Sequence, residues 1–210
     1  TALKNPLKAL FTVFKEEKIK KLSLAFFIYF IAFTGLTNIL IFFLQESLNW
    51  TTKASSGTLV VVGIIAIIVQ GGLIGPLVKQ FGEMRLTLIG SGFILVACAL
   101  LITAPKENAT INIYSAVSFL AVGAGLITPT LRALISKKLD VDKQGSILSN
   151  LQGLQSLGGV LGIAMAGRVY DSFGPKSPFI AGSVILLFMI YLIAEGKNNN
   201  SFNNQNSKVS

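Results

Sequence analysis

The chain has 210 residues, 52% of them hydrophobic and 13% charged, with a mean hydropathy of +0.68. Soluble domains carry about a quarter charged residues, so this composition excludes that class and points to an integral membrane protein. The formal charge of +9 does not imply nucleic acid, because Lys and Arg fall in loops between apolar runs, not on one aromatic-interleaved basic face.

Residues 1–21 are basic. Asn5 and Pro6 read as an N-cap and first helical position, and Leu7, Leu10, Phe11 and Phe14 recur at helical spacing. This predicts a cytoplasmic, basic amphipathic linker, either lying on the membrane surface or solvated.

Six apolar runs follow, near Leu22–Leu44, Thr58–Val78, Leu86–Ile102, Ile111–Leu131, Ile147–Val169 and Pro178–Ala194. Each approaches the roughly 20 residues that cross about 30 Å of hydrocarbon as helix. No acid lies within a run, and Arg168 sits only at an edge. The fifth run is the most polar, with Ser149, Asn150, Gln152, Gln155 and Ser156 in its first half. The expected fold is therefore an all-α membrane protein with a six-helix bundle over 22–195. An Asn-rich tail over 196–210 is too polar to bury surface and is expected to be disordered and cytoplasmic.

Six spans put both ends of the chain on one side. Lys53, Lys106, Arg168 and Lys176 then lie on the other side, and the remaining Lys and Arg share the side of the termini. The positive-inside bias makes that side the cytoplasm.

An internal repeat appears at the ends of the second and fifth runs. Gly75-Pro76-Leu77-Val78-Lys79-Gln80-Phe81-Gly82 and Gly167-Arg168-Val169-Tyr170-Asp171-Ser172-Phe173-Gly174 share one form: Gly, three residues, two polar residues, Phe, Gly. The copies are three spans apart, an odd number, so they face opposite sides of the membrane. Spans one to three and four to six then form inverted repeats, a common plan of secondary transporters. Gly75 and Gly167 are expected to allow close helix approach. Gly82 and Gly174 suit a sharp helix stop in a left-handed conformation.

At these residues the sequence resembles the major facilitator superfamily, whose signature after the second helix of each half is G-x-x-x-D-R/K-x-G-R-R/K. Gly75 and Gly82 match its glycines; Lys79, Gln80, Glu83 and Met84 replace its charged positions, with Arg85 just beyond. Ser149, Gly158, Gly162, Ile163, Ala166 and Gly167 fall at the positions of the fifth-helix glycine signature of the family's drug:proton antiporters, with Ile163 in place of the proline. Gly158, Gly162 and Ala166 also form a small-residue stripe suited to helix packing. Gly123–Arg132 and Asp142-Lys143-Gln144-Gly145 are similar to the fourth and fifth helices of such a half.

The resemblance runs from about Leu7 to Glu195 and is nearest to the tetracycline and multidrug efflux branches. It implies the C-terminal six-helix half of a twelve-helix transporter, whose partners are a small-molecule solute, the lipid bilayer and the N-terminal six-helix half. It also implies gating roles for Gly75, Lys79, Gly82, Arg85, Gly167, Asp171 and Gly174.

In the family the first, second, fourth and fifth helices of each half line the cavity, while the third and sixth face lipid. The polar residues agree: Thr34, Asn38, Gln70, Ser115, Ser118, Gln152, Gln155 and Ser156 all lie on the first set. Amides within a bilayer need partners or water, which makes these residues the cavity candidates; interhelical hydrogen bonding is the alternative use for them. No enzyme is expected. The chain has one cysteine, Cys98, and no histidine, and it presents no nucleophile–base pair, paired acids or metal-ligand set. Gly123-x-Gly125 is too short for a dinucleotide fingerprint, so no cofactor is expected. The sequence thus predicts transport by alternating access, as proton-coupled efflux of a drug-like compound. A metabolite carrier and a non-transporting six-span assembly protein are the alternatives. With no intramembrane acid here, any coupling acid is expected in the other half.

Overall fold

The computed structural model describes residues 11–105 and 109–206, with side chains from 12 to 105 and from 109 to 195. Six long helices make up the described chain, and no strand occurs among its residues. They are α1 (Lys20–Ser47), α2 (Thr52–Phe81), α3 (Glu83–Thr103) and α4 (Thr110–Ser136), then α5 (Val141–Phe173) and α6 (Ser177–Asn206).

Five of these are long and apolar enough to cross a membrane; for α6 this holds over Ser177–Glu195. The exception is α5, whose 33 residues include Asp142, Lys143, Arg168 and Asp171 as well as the amides of its first half. It is the longest helix, and its length meets the requirement that its composition dilutes.

The helix packing has an internal symmetry. α1 packs on α5 and α6, α4 packs on α2 and α3, and α3 meets α6. Exchanging α1 with α4, α2 with α5 and α3 with α6 turns the first pair of contacts into the second and leaves the third unchanged. This is the contact pattern that two inverted three-helix repeats require.

The glycine motif is repeated in geometry as well as in letters. α2 and α5 end at Gly82 and Gly174, with φ of +77° and +91° and ψ of 157° and 175°. Positive φ is as expected, but extended ψ takes both out of the left-handed helical well into a region that essentially only glycine occupies. Gly82→Ala and Gly174→Ala are each expected to cost about 2 kcal/mol, lowering the unfolding midpoint by about 5 °C. Unchanged midpoints for both proteins would show that the two corners do not depend on this backbone conformation.

Two expectations differ from the structure. A Cβ built on Gly75 or Gly167 meets nothing within 4 Å, so within this chain neither glycine marks a close helix approach. The chain also stays helical from Glu195 to Asn206, where the sequence reading expects a disordered tail. Extending an existing helix adds one hydrogen bond per residue without a new nucleus, so polarity alone does not end it. The last four residues of that tail lie outside the described residues.

The linker is described only in part. Residues 1–10 lie outside the described residues, and Phe11–Phe14 forms one short 3-10 turn, not a continuing amphipathic helix. The segment docks on the bundle. Val13 and Ile19 are fully buried, Asn150 donates to Thr12 Oγ1 at 2.9 Å, and Lys143 pairs with Glu16 at 2.8 Å.

The core lies between α1, α3, α4, α6 and the first half of α5, with Tyr29, Phe26, Phe43, Ile94, Ile113, Leu131 and Phe179 fully buried. Small residues set its spacing. A Cβ on Gly162 would lie 2.2 Å from the Ile31 carbonyl oxygen, and one on Gly123 would lie 2.6 Å from that of Gly90. These contacts bring α5 onto α1 and α4 onto α3, backbone to backbone. By contrast, α2 buries only Ser55, Thr58 and Val69. Its Leu59, Val60, Ile64, Ile67 and Ile68 are exposed, as are Val160, Ile163 and Met165 of α5.

Candidate functional site

The helices carry their charged residues at their ends, and the two ends of the bundle differ. Every ion pair among the described residues lies at the end holding the α2–α3 and α4–α5 connections, here the basic end. Lys137 pairs closely with Glu83, Lys21 with Glu195 at 2.9 Å, and Lys143 with Glu16. At the opposite end Tyr170 donates to Glu46 Oε2 at 2.9 Å, and Lys176 reaches the carbonyl of Ala104 at 3.4 Å.

Between these ends, α1, α4 and α5 build a polar cluster around Arg132. Its Nη2 donates to Gln152 Oε1 at 2.7 Å and to Gln155 Oε1 at 2.5 Å. The guanidinium lies 5.9 Å from the centre of the Phe26 ring, within cation–π range. One turn earlier on α4, Thr128 Oγ1 lies 3.3 Å from the Tyr29 hydroxyl, a hydrogen bond between α1 and α4. The intervening Pro129 sits inside α4 and deprives the Gly125 carbonyl of its helical donor.

Helix direction explains how a residue near a helix end reaches so far inward. Side chains on a helix tilt toward its N-terminus. The N-terminus of α4 is at the far end of the bundle, so Arg132 points into the bundle and away from the basic end. Its partners lie about three and four turns into α5, about 16 to 21 Å from that helix's start. A snorkelling arginine would point the other way. Placing a charge within the bilayer costs roughly 2.5–3.5 kcal/mol on the insertion scale, and two neutral amide oxygens hold it without neutralising it.

The eight cavity candidates do not form one site. Gln152 and Gln155 meet at Arg132, and Ser156, one turn on, is exposed and bonds back to the Gln152 carbonyl at 3.2 Å. Gln70 lies in a separate cleft of about 130 Å³ between α1, α2 and α4, with Thr37, Phe33, Ala124 and Thr128. Thr34 and Asn38 lie on α1. Asn38 is exposed and donates to the Thr34 carbonyl at 2.9 Å, while Thr34 abuts Gly159 of α5. Ser115 and Ser118 stand apart in a groove of about 500 Å³ between α3 and α4, walled by Phe93, Tyr114 and Phe119. Ser118 spends its hydroxyl on the Tyr114 carbonyl at 2.7 Å.

The motif residues occupy both ends. Lys79 and Arg85 are exposed beside Gly82 at the basic end, and Asp171 is exposed beside Gly174 at the other. The stripe Gly158, Gly162 and Ala166 faces α1: a Cβ on Gly158 would be 3.2 Å from the Phe27 carbonyl, and one on Gly35 would be 3.1 Å from Ala166 Cβ. No group of three metal-ligating side chains occurs among the described residues.

Sequence reasoning misses Arg132, Tyr29 and Thr128. Arg132 lies one residue past the fourth apolar run and is counted there with the loop cations. The available signal is the fixed tilt of helical side chains, which sends it inward.

The fold defines an all-helical integral membrane protein with one polar cluster where α1, α4 and α5 meet and a second polar cleft between α1, α2 and α4. The sequence model of the Major Facilitator Superfamily matches residues 2–163; the chain belongs to that family of membrane transporters. It is 26% identical over 130 residues to the class C tetracycline resistance protein of Escherichia coli, covering 62% of this chain and 32% of that one. It is 22% identical over 212 residues to the human hippocampus abundant transcript-like protein 1, covering 90% of this chain and 41% of that one. Among solved structures it is similar to the human organic anion transporter MFSD10 (TETRAN), with a TM-score of 0.76 and 19% identity over 90% of this chain and 46% of that chain. The chain therefore spans less than half the length of each of these proteins.

Proposed function

We propose that this chain is the C-terminal six-helix half of a twelve-helix transporter that exports a drug-like organic solute in exchange for protons, by alternating access. One observation carries the reading: polar groups of α2 and α5 lie on helices that lack apolar cover, with Asn38 of α1 exposed as well. Asn38, Gln70, Gln152 and Ser156 are exposed, and α2 and α5 bear broad exposed apolar faces. A second six-helix half packed on those faces would bury them and enclose the polar groups in a water-filled cavity.

The tetracycline resistance proteins among the relatives support export of a drug-like compound. The charge bias supports a cytoplasmic location for the basic end, in a plasma or inner membrane. The described acids nearest the spans, Glu46, Glu83, Asp171 and Glu195, sit at helix ends, so the coupling acid is assigned to the other half.

The test is transport by the full twelve-helix protein in sealed vesicles, with a panel of cationic, neutral and anionic drug-like solutes. Accumulation that collapses when the proton gradient is dissipated is the expected result. Accumulation indifferent to the gradient would overturn the coupling, and transport of polar metabolites alone would replace export of drugs with a metabolite carrier. No transport of any solute would favour a six-span assembly protein.

A further inference from the structure

We propose that Arg132 is the binding residue for an oxyanion on the transported solute, so that the preferred substrates are organic acids carrying a carboxylate or similar group. This rests on the transport reading above. Three observations converge on it.

The first is charge. All four ion pairs among the described residues use lysines, and no described carboxylate lies within ion-pair distance of Arg132. Its guanidinium is a permanent cation held inside the helix bundle without a counter-charge. Such a group is rare in membranes except along a substrate path or beside a partner of opposite sign.

The second is the chemistry of its holders. Gln152 and Gln155, three residues apart on one face of α5, both direct amide oxygens at Nη2. Amide oxygens fix the planar fork in position yet leave its charge free. Carboxylates there would hold it more strongly and would compete with any anionic ligand. The buried Nε has no acceptor, although buried donors are generally satisfied. Among the described residues only Nη2 finds acceptors, so the fork keeps donor capacity on Nη1 and on the enclosed Nε, the latter within reach of a solute only when the cluster opens.

The third is access. Gln152 is exposed, Arg132 and Gln155 are half-buried, and Ser156 extends the polar face by one more turn. The cluster therefore opens on the face of α5 assigned to the cavity, while Phe26 closes it from behind. An arginine fork matches an oxyanion in a bidentate manner that a lysine point charge does not.

The experiment uses the full protein in vesicles and matched pairs of aryl carboxylates and their uncharged primary amides. Wild type is expected to prefer the carboxylate by about tenfold or more, the size of one charge-assisted hydrogen-bond pair. R132Q is expected to raise the KM for the carboxylate by a similar factor while leaving that for the amide within about twofold; R132K should fall between them. Continued amide transport by R132Q shows that the variant is folded.

Equal losses for carboxylate and amide in R132Q would overturn the proposal and mark Arg132 as a partner of an acid in the other half. Wild type that transports both members equally would overturn it while leaving transport itself intact. Failure of wild type to move any member of the broader panel would instead take down the transport reading, and this inference with it.

Discussion

Gly162→Leu is expected to leave almost no folded protein. The Cβ position of Gly162 is 2.2 Å from the Ile31 carbonyl oxygen and 3.1 Å from the Gly35 amide nitrogen. Both are backbone atoms, so no rotamer change relieves the clash and α5 must move off α1. That movement also opens the neighbouring contacts of Gly158 with Phe27 and of Gly35 with Ala166. Even Gly162→Ala should cost about 3 kcal/mol, at the upper end of overpacking effects, lowering the unfolding midpoint in detergent by about 10 °C. Gly92→Ala is the control, since a Cβ there meets nothing within 4 Å and alanine is the better helix former by up to about 1 kcal/mol. A Gly162→Ala protein with the wild-type midpoint would mean that α1 and α5 do not touch at this depth.

Gly123→Val should do comparable damage at the α3–α4 interface, by a route that can be followed separately. A Cβ on Gly123 would lie 2.6 Å from the Gly90 carbonyl oxygen, and one on Gly90 would lie 2.9 Å from the Gly123 carbonyl. Toward the basic end the same antiparallel seam continues with the buried Thr87–Thr130 hydroxyl pair at 2.8 Å and then the Lys137–Glu83 ion pair. Valine's two methyl groups would wedge the helices apart and strand both hydroxyls from each other. The expected loss is about 3 kcal/mol or more from overpacking, plus about 1 kcal/mol for the hydrogen bond. If Thr87→Val with Thr130→Val costs about 1 kcal/mol in wild type but little or nothing in Gly123→Val, the two effects share one seam and are not additive. Full retention of monodisperse protein by Gly123→Val on size exclusion would refute the close seam.

Much of the fold can be read from the sequence because bilayer thickness is a strong constraint. Apolar runs near Leu22–Leu44 and Leu86–Ile102 have no physical option but to span, and α1 and α3 extend them by only a few residues at either end. The repeat around Gly82 and Gly174 is equally legible, because a backbone conformation reserved for glycine leaves its mark in the letters. What stays hidden is whatever depends on a partner distant in sequence. Gln152 and Gln155 are visible as amides out of place in a span, but nothing in their spacing names Arg132 as the group they hold. Ser115 and Ser118 are visible as polar residues in a span, but that their face of α4 turns to Phe93 is a matter of helix rotation that one polar pair cannot fix. Gly75 and Gly167 look like packing glycines, and nothing in their spacing says that their surroundings within the described chain are open.

α2 is not one uniform helix. Its α-helical hydrogen bonding gives way over Val69–Leu73 to a π turn that carries Gln70, Gly71 and Gly72, and the following Ile74–Phe81 buries no residue at all. A π turn spends an extra residue per circuit and interrupts the regular ladder, often where a helix has work to do. The free energy of local opening follows the number of buried contacts that must be broken. The last two turns of α2 are therefore weakly anchored, joined to the rest of the helix through a pair of glycines. A rotation of backbone angles there could swing that segment while leaving the outer half of α2, and its seam with α4, where it is.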